Sequence, residues 1–567
     1  MIASDYLARF FSRNNTRVIF GMTGGMIAFL VDSIYRHGKI NFISMHHEQA
    51  AAFAAEAYAR LTGRPGVAMA TSGPGATNLI TGIGSCYFDS SPVVFITGQV
   101  STKDFKGSSG VRQQGFQEAD IISIVKPIVK GAWMVDKTSK ISWVLEKAFW
   151  LAKEGRPGPV LIDIPIDVQQ KETGKSYVQL PESKNNFSEA LEKFTHKMYR
   201  KLSKSKKPLV LVGGGIQASR SRNLFLKWIE KVDIPVVNSL MGADVLPYGH
   251  PNRVGMIGSY GNRYANLAVK ETDCLLVLGS RLDSRQTGSD ANAFRENKDI
   301  FQIDCDKNQL NNRVKRCEIF CCDLKIFFNS ATRNINGTRK SGIDEWRLKI
   351  KEWRKKYPDT KELSCGGGEI NPNQLMHIIS RFSGSCVGYA VDVGQHQMWA
   401  AQSIELKEKQ RFLTSGGMGS TGFGLPAAIG MAFAMPKKPV VLIAGDGGFQ
   451  LNIQELETVR RNNLPLKMII INNHCLGMVR QFQDEYFAKR YSATHVGYTS
   501  PDFVKISAAY NIAAKTIQKR AEIENALAWL WRDPLSPTLL NVEIPIFLNV
   551  YPKIKFKSSI ADMEPIK

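Results

Sequence analysis

The 567-residue chain has no run of about 18 uninterrupted apolar residues, the length a membrane-spanning helix needs. Its first residues, MIASDYLARFFSRNN, carry no long apolar stretch behind the first basic residue. Paired cysteine spacing is missing too: nine cysteines are scattered along the chain, which speaks against a disulfide framework and for free thiols. Cys317, Cys321 and Cys322 stand close together but lack the second Cys/His pair of a tetrahedral zinc site, so they read as small apolar residues on a strand. Acidic residues are in deficit, 51 against 74 Lys and Arg, for a formal charge of +23. The basic residues are spread through KLSKSKK, RVKRC and RLKIKEWRKK without a nucleic-acid motif, so they read as solvated faces. A positive field still concentrates anions, which leaves room for an anionic substrate. The expectation is a cytoplasmic, soluble chain with neither nucleic acid nor membrane as partner.

The length suits about three domains at roughly 100–200 residues each. Residues 1–170 alternate strand-like runs (NFISM, GVAMATSG, PVVFITGQ, PVLIDIP) with helical stretches such as EQAAAFAAEAYARLTG, the pattern of a parallel α/β sheet. A polar stretch at about 171–195 reads as a linker. A second α/β unit, 196–335, opens at KPLVLVGGGI and is followed by the charged, Gly-rich stretch 336–368. A third, 366–545, holds CVGYAVDVG, PVVLIAGDGGFQ and LKMIIINN, and residues 546–567 form a tail. The predicted fold is α/β, with three parallel-sheet domains.

The most informative segment is GDGGFQLNIQELETVRRNNLPLKMIIINNHCLGMV, residues 445–479. One strand ends at Gly445-Asp446-Gly447, a helix follows, and a second strand ends at Asn472-Asn473. A right-handed βαβ crossover brings both carboxyl ends to one sheet edge. That edge then holds a carboxylate and a carboxamide oxygen, hard donors that suit Mg2+ together with phosphate oxygens. Gly445, Gly447 and Gly448 let the backbone approach a diphosphate, and the following helix N-terminus favours its charge. Alone, GDG is a weak signal; paired with NN one βαβ length away it is a strong one. The pair resembles the thiamine-diphosphate motif, and the resemblance implies that Asp446, Asn473 and the backbone carbonyl of Cys475 hold the metal.

A second constellation, Met45-His46-His47-Glu48-Gln49, leads into an Ala-rich helix that Gly63 closes, with Glu48 in its first turn. From HHEQAAAFAAEAYARLTG through VAMATSGPGATN, ITGQ, GRPGPVLIDIP, SYGNRYAN, VDVGQHQMWAAQ and SGGMGSTGFGLPAAIG, nearly the whole chain resembles the acetolactate synthase family. The resemblance implies three domains: pyrimidine-binding, FAD-type and diphosphate-binding. It implies that Glu48 hydrogen-bonds the aminopyrimidine of thiamine diphosphate, with Gln99 at the same active-site edge. Val393, Gly394, Gln395 and His396 match the loop under the diphosphate, although His396 also reads as a core histidine. Gly419, Thr421, Gly477, Met478 and Val479 match neighbours of the rings. In the second unit Gly214, Arg281, Asp283, Arg285, Asp304 and Asp323, with Arg156, match FAD-contacting positions; the alternative is a domain that kept its shape and lost the flavin. A structural role is expected of FAD, because the chemistry needs no redox step. Sites between subunits imply a homodimer or homotetramer.

The implied reaction is decarboxylation of a 2-keto acid, foremost pyruvate, and ligation of the carbanion to a carbonyl acceptor. Several positions depart from the family. A longer loop opens at Ser101, Ile166 replaces a Lys, Ser284 an Asp and Phe482 a Trp, and Thr421 stands where a bulkier wedge is usual. These departures raise the expectation of a different acceptor, such as a nucleotide-linked keto sugar. A non-ligating decarboxylase or oxidase is the other alternative; a non-enzymatic flavoprotein would have lost Glu48 or the metal motif, and both are present.

Overall fold

The strand-like runs of the sequence assemble into three six-stranded sheets in which every neighbouring pair is parallel. The computed structural model describes residues 1–174, 189–333, 343–555 and 557–566. The first sheet contains β1 (Val18–Gly21), β2 (Asn41–Ser44), β3 (Gly66–Ala70), β4 (Val93–Gln99), β5 (Gly131–Met134) and β6 (Val160–Pro165). The second contains β7 (Pro208–Val212), β8 (Val236–Asn238), β9 (Arg253–Met256), β10 (Cys274–Leu278), β11 (Asp299–Asp304) and β12 (Glu318–Cys321). The third contains β13 (Gly388–Val391), β14 (Arg411–Leu413), β15 (Val440–Gly445), β16 (Leu466–Asn472), β17 (Ala513–Ile517) and β18 (Thr538–Glu543). Helices cover both faces, so the central strands are buried throughout their length and read as unbroken apolar runs.

Strand order fixes where ligands can bind. The first sheet runs β2-β1-β3-β4-β6-β5 and the third β14-β13-β15-β16-β18-β17, the same order shifted by twelve strands. In such a doubly wound sheet the crevice lies where the chain reverses direction, at β1/β3 and β13/β15. The second sheet runs β12-β11-β10-β7-β8-β9, the dinucleotide-binding order, with its switch between β7 and β10. Gly213 and Gly215 follow β7 there and meet Gly279 after β10. A Cβ on Gly213 would lie 2.1 Å from the Gly279 carbonyl oxygen, so the two turns are in backbone contact.

The first and third units share one core. Helix Glu48–Thr62 packs along helix Gly424–Ala434, and the alanines of the first and small residues of the second let the backbones approach. A Cβ on Gly430 would lie 2.1 Å from the Ala54 carbonyl oxygen. Phe53 meets Phe423 edge-on at 5.4 Å, a contact worth about 1 kcal/mol beyond the area it buries. His47 caps the Ala-rich helix by accepting the Gln49 N–H, and Gly63, with φ of 67°, ends it.

The second unit recruits more chain than its strands. Most of the stretch read as a linker, residues 175–188, lies outside the described residues; its last residues open helix Glu189–Lys204, whose Leu191, Met198 and Leu202 enter the second core. In the charged stretch 336–368, residues 343–356 form a helix whose Trp346 donates to the Pro208 carbonyl at 3.1 Å. The tail also packs: Ile554, Ile560 and Met563 join the core on the opposite face of the second sheet, around the antiparallel pair β19 (Lys553–Ile554) and β20 (Met563–Glu564).

One charged group sits inside the shared core. Glu56 is fully buried, accepts from Ser91 Oγ at 3.0 Å and lies 3.5 Å from Arg60. Burial first, and then the Asp89 carboxylate, push its carboxyl from the usual 4.5 up to about 7. The folded chain thus holds a proton there that the unfolded chain has lost, and stability drops as pH rises from about 4.5 to 7. Glu56→Gln is expected to remove this slope, at most about 1.4 kcal/mol per pH unit, and to gain on the parent protein between pH 5 and 8 in melting experiments. Parallel curves for the two proteins would show that Glu56 does not carry the proton.

Candidate active site

At the β13/β15 switch two carboxylates are taken out of water and answered differently. Asp392, after β13, is 1% exposed and accepts backbone N–H bonds from Val393 at 2.6 Å, Gly422 at 2.9 Å and Gly424 at 3.2 Å. It thereby ties the loop that opens at Val393 to the turn carrying Gly419 and Thr421. A Cβ on Gly448 would lie 3.1 Å from this carboxyl, close enough to strain the packing. Asp446, after β15, is 2% exposed; its carboxylate accepts from the Tyr498 hydroxyl at 3.0 Å and faces its own backbone N–H and that of Asn473. Burial pushes the Asp446 carboxyl up to about 6. A desolvated carboxylate at a sheet edge, with one side-chain donor, is suited to a bound cation.

The register Gly445↔Ile471 sets Asp446 and Asn472 side by side at the edge. Asn472 Oδ1 accepts from the His474 N–H at 3.1 Å, and His474 takes a left-handed φ of 51°. That turn swings Asn473 and Cys475 over the edge. Asn473 Nδ2 donates to Gln395 Oε1 at 3.1 Å and its Oδ1 accepts from the Cys475 N–H at 3.3 Å. The Cys475 thiol points away, to the Ile546 carbonyl at 3.5 Å, while its backbone carbonyl accepts from the Gly477 N–H at 2.9 Å.

Around this edge the chain leaves a cradle. Gly477 has no room for a side chain, since a Cβ would lie 2.1 Å from Gln395 Oε1. Gly394 and Gly445 flank the His396 ring, where a Cβ would come within 2.7 and 2.9 Å, and Gly447 faces Leu476 and Tyr498. Gly419, with φ of 71°, faces open space. His396 is buried, its Nε2 has no partner among the described residues, and burial pulls its pKa down to about 3. A neutral imidazole with an orphaned ring nitrogen beside a glycine cradle fits a ligand atom better than it fits a satisfied core. Met478 is half-buried, while Val479 and Thr421 are exposed.

The first unit supplies the other half of the expected site. Glu48 is 5% exposed and its Oε2 accepts from Asn78 Nδ2 at 2.9 Å. Gln99 ends β4 with its amide engaged inside the unit: Nε2 donates to the Ala119 carbonyl at 2.8 Å and Asp163 at 3.0 Å, and Oε1 accepts from Val100 N–H. Gln99 therefore braces the sheet edge. Glu48 and Asp446 share no recorded partner: one bonds within the first unit, the other within the third.

A cavity of about 1010 Å³ opens at the β7/β10 switch, near the upper end of the ligand-pocket range and roomy enough for a dinucleotide. Arg156, Gly214, Arg281, Asp283, Arg285, Asp304 and Asp323 all line it. Asp283 caps helix Ser284–Thr287 and pairs with Arg281 at 3.0 Å, while Arg156 pairs with Asp306 at 3.0 Å. Asp89 of the first unit and Met398 and Phe412 of the third close the walls. Ser284, expected at the acceptor rim, stands instead beside this cavity in the second unit. The loop opened by Ser101 is folded back by Glu118, which accepts from the N–H groups of Lys106, Gln114 and Gly115.

Asp392, Tyr498 and Asn78 were not singled out from the sequence. Asp392 had a signal, as the last residue before Val393 in VDVGQH. The others depend on contacts from distant segments.

Three domain families match the chain: the N-terminal TPP binding domain of thiamine pyrophosphate enzymes over residues 1–124, their central domain over 195–330 and their C-terminal TPP binding domain over 392–542. The chain is 36% identical to acetolactate synthase 2, chloroplastic, of Nicotiana tabacum, across 99% of its own length and 84% of that protein. It is 37% identical to the acetolactate synthase large subunit of Lactococcus lactis, across 95% and 91% of the two chains. With that of Cyanidium caldarium it shares 36% across 96% and 93%. For the metal edge, Asp446→Ala is expected to abolish retention of Mg2+ and thiamine diphosphate, because the diphosphate would then meet an unneutralised site. Calorimetry showing unaltered binding by that variant would sink the assignment.

Proposed function

Because the chain belongs to the thiamine pyrophosphate enzymes, and among them to the acetolactate synthase family, we propose that its two sheet-switch crevices are the working parts of a carboligase. It is an enzyme that decarboxylates pyruvate and joins the two-carbon unit to a second carbonyl, using thiamine diphosphate with Mg2+, and FAD as in the biosynthetic enzymes of the family. The observation that carries the site assignment is Asp446, a buried carboxylate beside Asn472 and facing the Asn473 backbone N–H at the edge of a glycine cradle.

When bound, thiamine diphosphate supplies the electron sink that lets a 2-keto acid lose carbon dioxide. The chain's own groups do the rest. Asp446, Asn473 and the Cys475 carbonyl hold the metal, and Gly445, Gly447, Gly448 and Gly477 let the backbone close on the diphosphate. Val393 to His396 form the floor, with the His396 ring neutral and a nitrogen free. Glu48, oriented by Asn78, holds a proton against the aminopyrimidine. Gly419, Thr421, Met478 and Val479 border the rings. The larger cavity takes FAD across Gly214, Arg281, Asp283, Arg285, Asp304, Asp323 and Arg156, in a structural role.

We read the protein as a homodimer or larger. Leu451 and Met418, beside the cradle, Val479 and Phe482, on helix Gly477–Tyr486, and Phe487, which caps its end, are exposed apolar side chains in the single chain. The first unit of a second copy, bringing its own Glu48, would cover them. No helix among the described residues is long and apolar enough to cross a membrane. Nine free thiols support a cytoplasmic setting for this chain.

The relatives give no support to a nucleotide-linked keto sugar as acceptor, or to a non-ligating decarboxylase or oxidase. Acetolactate is therefore the expected dominant product when labelled pyruvate is supplied alone and with competing ketones and aldehydes. Another ligation product exceeding it, or release of free aldehyde or acetate, would overturn this reading.

A further inference from the structure

Gln395, on the floor of the cradle, has a second buried amide behind it. Its Oε1 accepts from Asn473 at 3.1 Å, and its Nε2 donates to Gln481 Oε1 at 3.1 Å and to the Leu548 carbonyl at 3.0 Å. Gln481, 2% exposed, stands on helix Gly477–Tyr486. Its Oε1 also accepts the Val550 N–H at 2.9 Å, and its Nε2 donates to the Val550 carbonyl at 3.2 Å. The side chain thus pairs with both polar groups of one backbone residue, as a neighbouring strand would. Arg480, fully buried, adds bonds to the Leu548 carbonyl at 2.6 Å and Asn549 Oδ1 at 2.7 Å.

The segment beyond Val550 is anchored away from the cradle. Ile554 N–H donates to the Ser259 carbonyl at 2.9 Å, and Arg263, paired with Glu362, donates to the carbonyls of Met563 at 3.1 Å and Pro565 at 2.8 Å. Ser259 lines the larger cavity. A line of buried polar contacts therefore runs from Asn473 through Gln395 and Gln481 to a C-terminal strap fastened on the second unit.

We propose that Gln481 is a positioning residue: it fixes Gln395, and through it Asn473, against Val550, so that the affinity of the diphosphate cradle is set from the C-terminal strap. This rests on the reading of Asn473 and Gln395 as parts of that cradle. The geometry leaves little slack, because Gly477 already has Gln395 Oε1 where a Cβ would be. If Gln395 rotates, Asn473 loses the acceptor that orients its amide. A merely structural amide would lower overall stability and leave cofactor affinity alone.

The test uses the flavin-loaded full chain, titrated with thiamine diphosphate at fixed Mg2+ by calorimetry. Gln481→Leu removes the bonds to Val550 and the acceptor for Gln395. It is expected to raise the dissociation constant by about tenfold or more while flavin content is retained. Gln481→Glu, assayed above the carboxyl's titration range, keeps the acceptor but sets a carboxylate oxygen against the Val550 carbonyl, so it is also expected to weaken binding. Parent-like affinity in a folded Gln481→Leu protein overturns the proposal. If that variant does not fold, Gln481→Glu decides: weakened binding with flavin retained supports the proposal, and unaltered binding overturns it. A parent protein that binds no thiamine diphosphate would instead bring down the reading of the cradle itself.

Discussion

A carboxylate removed from water must be answered by donors or by a cation, and the third unit is organised around two such groups at one sheet edge. Asp392 is answered by three backbone N–H groups, which fixes the loop over residues 393–396 relative to the turn at 419–424. Asp446 accepts from the Tyr498 hydroxyl and from backbone N–H groups at its own position and Asn473, and we propose that a metal meets its remaining demand. The glycines around it follow from the same constraint, since a diphosphate can approach the ion only where no Cβ intervenes.

Much of this was legible in the sequence because it is local. GDG and NN are separated by one βαβ length, and parallel pairing of β15 with β16 brings them together with no long-range information. The unbroken apolar runs VVFITGQ and VVLIAG announced strands covered on both faces, and the alternation of strand and helix announced three parallel sheets. The seven residues that resemble FAD-contacting positions are spread along the chain, and the β7/β10 switch gathers all of them around one space.

What stayed hidden depends on segments far apart in sequence. Nothing near Gln481 shows that it will pair with the backbone of Val550, and nothing near Tyr498 shows that it will lie on Asp446. Ser284 departs from the family, yet departure carries no position, and the fold sets it beside the β7/β10 cavity rather than the acceptor rim. The tail offered no periodicity, but its scattered Ile554, Ile560 and Met563 complete the core on the face of the second sheet opposite helix Glu189–Lys204. The identical strand order of the first and third sheets was also beyond the sequence, where only a shared strand, turn and helix pattern was visible.

We propose that the reacting centre takes Glu48 from one copy and the Asp446 edge from another. Coexpressing Glu48→Gln and Asp446→Ala chains tests it directly. In a mixed dimer one site carries both substitutions and the other carries neither, so random assortment is expected to restore about a quarter of parent activity from two nearly inactive proteins. Activity no higher than the mean of the two separate variants would contradict a site shared between copies.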